Sequence, residues 1–193
     1  NRNWVIYTEG MGKLFTTDLY RGMSLAGQYG VNVILFDYPS ITTTKRMLGN
    51  YYFAINNARV AYKDFAPVLA EIKQLRLQSK LGTGRLSLFF HSMGNNVLTE
   101  AISNGKLALL NGAVWVDNLV MNAPCVNQSG HAALLSRIDF AKRIYIHYNP
   151  EDKTLKGAHL VSGHRQLGEK VDLPVYKYAR YINFNTLVDE GHS

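Results

Sequence analysis

Ser92 sits in Phe90-His91-Ser92-Met93-Gly94, where the apolar run Leu86-Ser87-Leu88-Phe89-Phe90 stops and a helix-type run follows at once. A serine on a sharp strand-to-helix turn has its hydroxyl clear of the sheet edge, and the N–H groups that follow can face a developing oxyanion. Those are the requirements of a nucleophile for acyl transfer. Gly94 keeps a small residue where the helix must pass close to the strand, whereas Phe90 stands where glycine would complete a G-x-S-x-G pattern. As local structure alone, the same segment is a polar turn in which Ser92 caps the helix.

A serine hydroxyl needs a histidine to take its proton, and the histidine needs a carboxylate to fix its tautomer and stabilise the imidazolium. When the three follow one another as serine, acid and histidine, the acid lies in a loop after a later strand and the base after the last. Asp152 follows the strand-type run Ile144-Tyr145-Ile146-His147-Tyr148 by four residues, with Glu151 as the alternative carboxylate. The turn residues Asn149-Pro150 equally suit Asp152 to cap a helix starting at Lys153. His192 is the last of six histidines and the one this order selects as base. His91 adjoins Ser92, and adjacent side chains diverge. His147 lies in a strand-type run, while His131, His159 and His164 fall in helical or loop segments.

A tetrahedral oxyanion requires two backbone N–H donors, one after the nucleophile and one from the first strand-to-helix loop. Met93 and Met11 occupy those places, the second within Thr8-Glu9-Gly10-Met11-Gly12. Glu9 brings a carboxylate to that loop, where it opposes the oxyanion unless Lys13 or Arg21 neutralises it or it faces solvent. Tyr51, Tyr52 and Phe53 read as the aromatic start of a core helix, or else as the lining of an apolar acyl pocket.

Positioning these residues takes alternating strands and helices. Strand-type runs fall at 3–8, 31–38, 86–90, 113–122, 143–148 and within 175–184. Helical spacing appears at 15–28, 52–78, 94–104, 131–137 and 159–166. In the first of these the apolar residues Phe15, Leu19, Met23 and Ala26 recur with the helical period; in the second, Pro67 predicts a kink or a join. Continuous apolar strands separated by helices predict an α/β fold, a doubly wound and mostly parallel sheet of about six strands in one domain over 1–193. Ligands of such sheets bind at the carboxyl ends of the strands, where Ser92, Asp152, His192 and the Thr8–Gly12 loop fall.

Composition is ordinary for a globular chain: 47% apolar and 18% charged over 193 residues. The net charge of +7 comes from dispersed lysines and arginines with no nucleic-acid motif, so a solvated basic surface is expected and no nucleic-acid partner. The same field could steer acidic substrates or anionic membrane surfaces toward the site. The lone cysteine, Cys125, excludes an internal disulfide and reads as a small buried hydrophobe. This fits the cytosol and equally a disulfide-free secreted protein. No apolar stretch approaches a membrane span, and these residues contain no signal peptide; because the chain opens almost directly into a strand at Trp4, a signal would have to lie upstream of them. Glu9-Gly10-Met11-Gly12-Lys13 after the first strand is not a dinucleotide fingerprint, and no His/Asp/Glu group has metal-ligand spacing, so no cofactor is expected.

Together these segments resemble the α/β-hydrolase superfamily, and within it compact bacterial serine hydrolases without assigned substrates. The likeness rests on Tyr7-Thr8-Glu9-Gly10, Asp37-Tyr38-Pro39-Ser40, His91-Ser92-Met93-Gly94-Asn95, Asp152, Arg165-Gln166-Leu167-Gly168 and Gly191-His192. It implies a carboxyl-ester or thioester hydrolase acting on a small acyl substrate. Ser92 would be its nucleophile, His192 its base, Asp152 its orienting acid, and the N–H groups of Met93 and Met11 its oxyanion hole. It also implies an eight-stranded sheet whose first two strands would be absent here or lie upstream. Glu9 stands where the family usually has histidine, and Phe90 where it has glycine. An acyltransferase with the same residues, or a catalytically silent binding protein on the same fold, are the competing expectations.

Overall fold

A computed structural model describes residues 2–192. In chain order its elements are β1 (Trp4–Thr8), α1 (Phe15–Tyr29), β2 (Asn32–Phe36), α2 (Met47–Leu77), β3 (Leu86–His91), α3 (Asn95–Ser103), α4 (Leu107–Leu110), β4 (Asn118–Asn122), α5 (His131–Leu135), β5 (Ile144–Tyr148), α6 (Lys153–Ser162), β6 (Ala179–Asn183) and α7 (Asn185–Val188). The strands form one sheet in the order β2-β1-β3-β4-β5-β6, every neighbouring pair parallel. This is the α/β architecture expected from the alternating apolar runs.

Helices cover both faces, as two consecutive residues of β2 demonstrate. Phe36 meets Phe65 of α2 edge-to-face with ring centroids 4.4 Å apart. Leu35 points the opposite way and packs under α1, where a Cβ added to Gly22 would come within 3.0 Å of it. Leu86, Leu88 and Phe90 of β3 are fully buried and belong to the same core cluster as Phe65 and Leu69 of α2 and Val97, Leu98 and Ile102 of α3. The chain runs from β1 outward to β2, then returns to place β3 on the other side of β1. The loops leaving β1 and β3 therefore diverge to opposite faces, and a crevice opens between their carboxyl ends.

Strand β4 begins at Asn118 rather than 113, α4 and α7 fall outside the expected helical segments, and three further helices differ in extent or facing. Helix α2 runs unbroken through Pro67 over 31 residues. Both Pro67 and Lys63, four residues earlier, lie on the exposed side, where water takes the carbonyl that proline leaves without a donor. It also starts at Met47 rather than 52, because buried Asn50 holds the preceding loop by accepting from Thr42 N and donating to the carbonyls of Thr42 and Lys45. Helix α6 starts at Lys153 rather than 159. Asp152 caps it by accepting from Leu155 N at 2.9 Å, and Gly163, at φ 71°, ends it.

Helix α1 reverses its expected polarity. Its periodic apolar residues Phe15, Leu19 and Met23 are 59%, 44% and 61% exposed, and the face turned to the sheet carries Asp18 and Gly22. Gly22 is what permits the close approach over Leu35. Asp18 is 2% exposed, and with both carboxyls ionised neither of its oxygens has a donor. Burial, with Glu9 and Asp37 nearby, pushes Asp18 up to about 7, and the protonated form can donate to Asp37.

That gives Asp18 a defined stability signature. Its acidity is weaker folded than unfolded, so ionisation above neutral pH favours the unfolded chain, whereas below pH ~4 both states are protonated. Asp18→Asn should therefore raise Tm relative to the native chain at pH 8, with the difference shrinking below pH 7 and vanishing only below about pH 4. Thermal melts of both chains across that range check it, and a pH-independent difference would mean that Asp18 keeps its charge in the fold.

Candidate active site

Ser92 occupies the turn between β3 and α3 at φ 51°, a left-handed conformation that costs a non-glycine residue of order 1 kcal/mol. Two glycines make the turn possible. A Cβ on Gly94 would lie 2.4 Å from the carbonyl oxygen of Glu9, and one on Gly10 would lie 2.7 Å from Ser92 Cβ. The loop after β1 and the turn after β3 thus touch backbone to backbone. Two buried asparagines hold the turn: Asn95 Nδ2 donates to the carbonyls of Ser92 and Phe90, and Asn96 Nδ2 to those of Met93 and Cys125. Phe90 does not crowd the serine. Its ring points into the core, edge-on to Phe65.

His192 Nε2 lies 2.7 Å from Ser92 Oγ, and its Nδ1 lies 2.6 Å from Asp152 Oδ2. The expected nucleophile, base and acid, distributed over 100 residues of chain, are brought into one hydrogen-bonded row. Asp152 is fully buried and keeps both sequence readings at once, one oxygen capping α6 and the other facing His192. Glu151, the alternative acid, points outward to Lys156 at 2.8 Å. The loop carrying His192 is tied down by Asn149, whose Nδ2 donates to the carbonyls of Asp189 and Gly191 at 2.7 and 3.1 Å. Asn149 N in turn donates to Gly168 O, which sets Leu167-Gly168 against the same corner.

The loop after β1 is pinned on both sides of Met11. Gly10 N donates to Glu9 Oε1, Gly12 N to Ser40 O, and Ser40 Oγ to Lys13 O. Among the described residues no acceptor takes the N–H of Met11. Glu9 is buried rather than turned to solvent. Arg21, not Lys13, is its counter-ion at 2.7 Å, and Tyr7 donates to it at 3.1 Å. Beyond Glu9 a polar row crosses the strand ends: His91 Nε2 lies 3.6 Å from Glu9 Oε1, Asn122 Nδ2 donates to His91 Nδ1, and His147 Nδ1 donates to Asn122 Oδ1. Burial lowers His91 to about 4, so it is neutral at pH 7. Its ring lies beside that of His192, centroids 5.0 Å apart.

The sequence reading assigned no role in the site to Asn95, Asn96 or Asn149, and offered Arg21 only as one of two partners for Glu9. Asparagine in a helix's first turn or before proline signals only capping and turns. Arg21 was one of two cations near Glu9 in the chain, and only the helical rise of α1 selects it. Among the described residues there is no group of three or more His, Cys, Asp or Glu arranged to hold a metal ion, and no helix is long and apolar enough to cross a membrane.

No curated protein matches the chain. An uncharacterized protein from Bacillus cereus ATCC 10987 has a similar structure, with a TM-score of 0.50 and 11% identity over 94% of this chain, which spans only 52% of that one. The crystal structure of esterase PE8 aligns over 100% of this chain and 85% of its own at 14% identity, with a TM-score of 0.47. The family described as "Alpha/beta hydrolase of unknown function (DUF900)" matches residues 1–188, a span that holds Ser92 and Asp152 and stops four residues short of His192. With nearly all of its length inside that match, the chain belongs to this α/β-hydrolase family.

Proposed function

We propose that the protein is a serine hydrolase that cleaves a carboxyl ester or thioester through an acyl-enzyme on Ser92. The observation that carries this reading is the row Ser92 Oγ–His192–Asp152, with both links within 2.7 Å. At rest Ser92 Oγ–H donates to His192 Nε2, and His192 Nδ1–H donates to Asp152. As Oγ bonds to the acyl carbon its proton passes to Nε2, and the negative charge moves to the carbonyl oxygen, which faces the N–H groups of Met11 and Met93. The bond to the leaving oxygen or sulfur then breaks, and that atom takes the proton from Nε2. Water repeats the sequence: its oxygen bonds to the acyl carbon, its proton goes to His192, and Ser92 leaves and recovers a proton. Asp152 stays ionised throughout and stabilises the imidazolium.

Arg21 has a defined part in this scheme. A buried carboxylate beside the oxyanion loop would raise the barrier, and the Arg21 ion pair offsets its charge while Gly10 N–H occupies one of its oxygens.

A fluorophosphonate probe should label the native chain and not Ser92→Ala, since only a base-activated serine attacks phosphorus at a useful rate. Labelling of neither folded chain would overturn the reading in favour of a binding protein. On p-nitrophenyl esters His192→Ala should lower kcat by about three orders of magnitude, and Asp152→Asn by somewhat less. Near-native turnover without His192 would mean another base.

Arg21→Gln leaves Glu9 buried with its charge uncompensated. It should lower kcat/KM for neutral esters on the order of tenfold at pH 8. Adding Glu9→Gln to that variant should restore most of the lost rate. No restoration would show that Glu9 exerts no field at the site.

A further inference from the structure

Two cavities meet at Ser92, and they are chemically unlike. One, of about 690 Å³, is bounded by Tyr7, Glu9, Arg21, Phe89, Asn122 and His192. The other, of about 490 Å³, lies between the start of α2 and α6, against Met47, Leu48, Tyr51, Cys125, Leu155 and Val161. Met11, Ser92 and Thr154 line both and separate them. The lysine at the edge of the second cavity, Lys153, is 70% exposed and turned to Glu190. Burial in that apolar wall pushes the Cys125 thiol up to about 12, so it presents a neutral S–H.

Proton transfer decides which half of a substrate enters which cavity. The leaving atom must receive its proton from His192 Nε2, so the leaving group lies on the side that His192 lines, the larger and more polar cavity. The acyl carbon is bound to Ser92 Oγ, and its chain then extends to the other side. We infer that the smaller cavity holds the acyl half of the substrate and that this half is an unbranched apolar chain of medium length. This rests on the acyl-enzyme reading above. A methylene is close in size to the ~30 Å³ of a water molecule, and part of the cavity is open mouth, so the length that fits is about eight to twelve carbons. Gly157 of α6 sets that length. A Cβ added to it meets nothing within 4 Å, and it belongs to the cavity wall.

The test is a chain-length series of p-nitrophenyl esters from acetate to dodecanoate. Each methylene drawn out of water multiplies kcat/KM about threefold. Octanoate should therefore exceed acetate by at least thirtyfold, and a flat or falling series overturns the inference. Gly157→Phe fills the cavity and replaces a mid-helix glycine with a better helix former, which favours folding. It should reduce the octanoate-to-acetate ratio at least tenfold, as should Leu48→Trp from the opposite wall, and an unaltered ratio in both counts against the cavity.

Binding separates this inference from the hydrolase reading. Ser92→Ala should bind decanoate, read by titration calorimetry, and addition of Gly157→Phe should weaken that at least tenfold. Binding of decanoate with no ester hydrolysed by the native chain would sink the hydrolase reading and keep the acyl cavity. Acetate hydrolysed with no decanoate bound would do the reverse.

Discussion

A carboxylate sealed from water must find donors or give up its charge, and Asp152 is sealed completely. One oxygen takes an N–H from the first turn of α6, where the helix dipole also favours an anion, and the other faces His192. The two partners lie three and forty residues further along the chain, so this one side chain locks the start of α6 to the loop after α7. Remove that lock and His192 loses both its orientation and the charge that would stabilise it. The apolar cavity loses its α6 wall by the same stroke. Asn149, holding the backbone on either side of Glu190, makes the lock rigid rather than merely attractive.

The other half of the site is set by close approach. β1 and β3 are neighbours, but the chain leaves them toward opposite faces, so their loops can meet only if backbone touches backbone. Gly10 and Gly94 are where that happens. Having no side chains to hold the contact, the region relies on buried polar groups. Glu9 collects Arg21, Tyr7 and Gly10 N–H on one side, and Asn95 and Asn96 gather the carbonyls of the turn on the other. The neutral ring of His91 lies between the two groups and beside His192, a compact polar body that brings no charge to the base.

Much of this was legible in the chain, because the strongest signals are local. Apolar runs of five or six residues bounded by glycine and proline mark β1, β2, β3 and β5 within a residue or three. The strand-to-helix turn marks Ser92, and chain order then marks Asp152 and His192, all of which the fold brings within hydrogen-bonding distance. What stayed hidden depends on three-dimensional neighbours. The apolar spacing of Phe15, Leu19 and Met23 says that α1 is a helix but not which face turns inward, and the need to clear Leu35 gave that face to Gly22. Tyr51 is buried at the edge of the core, as a core-helix start would be, and it also lines the smaller cavity. Asn149 reads as a turn former because its partners lie forty residues away.

The left-handed backbone at Ser92 bears on how such a chain would age under mutation. Glycine would adopt φ 51° without strain, so the fold in isolation prefers glycine there by a modest margin. Stability and chemistry therefore pull this position in opposite directions. A lineage released from any need for the hydroxyl would drift toward glycine and become firmer as it fell silent. Serine at this corner keeps a hydroxyl there at a cost in stability that glycine would not incur.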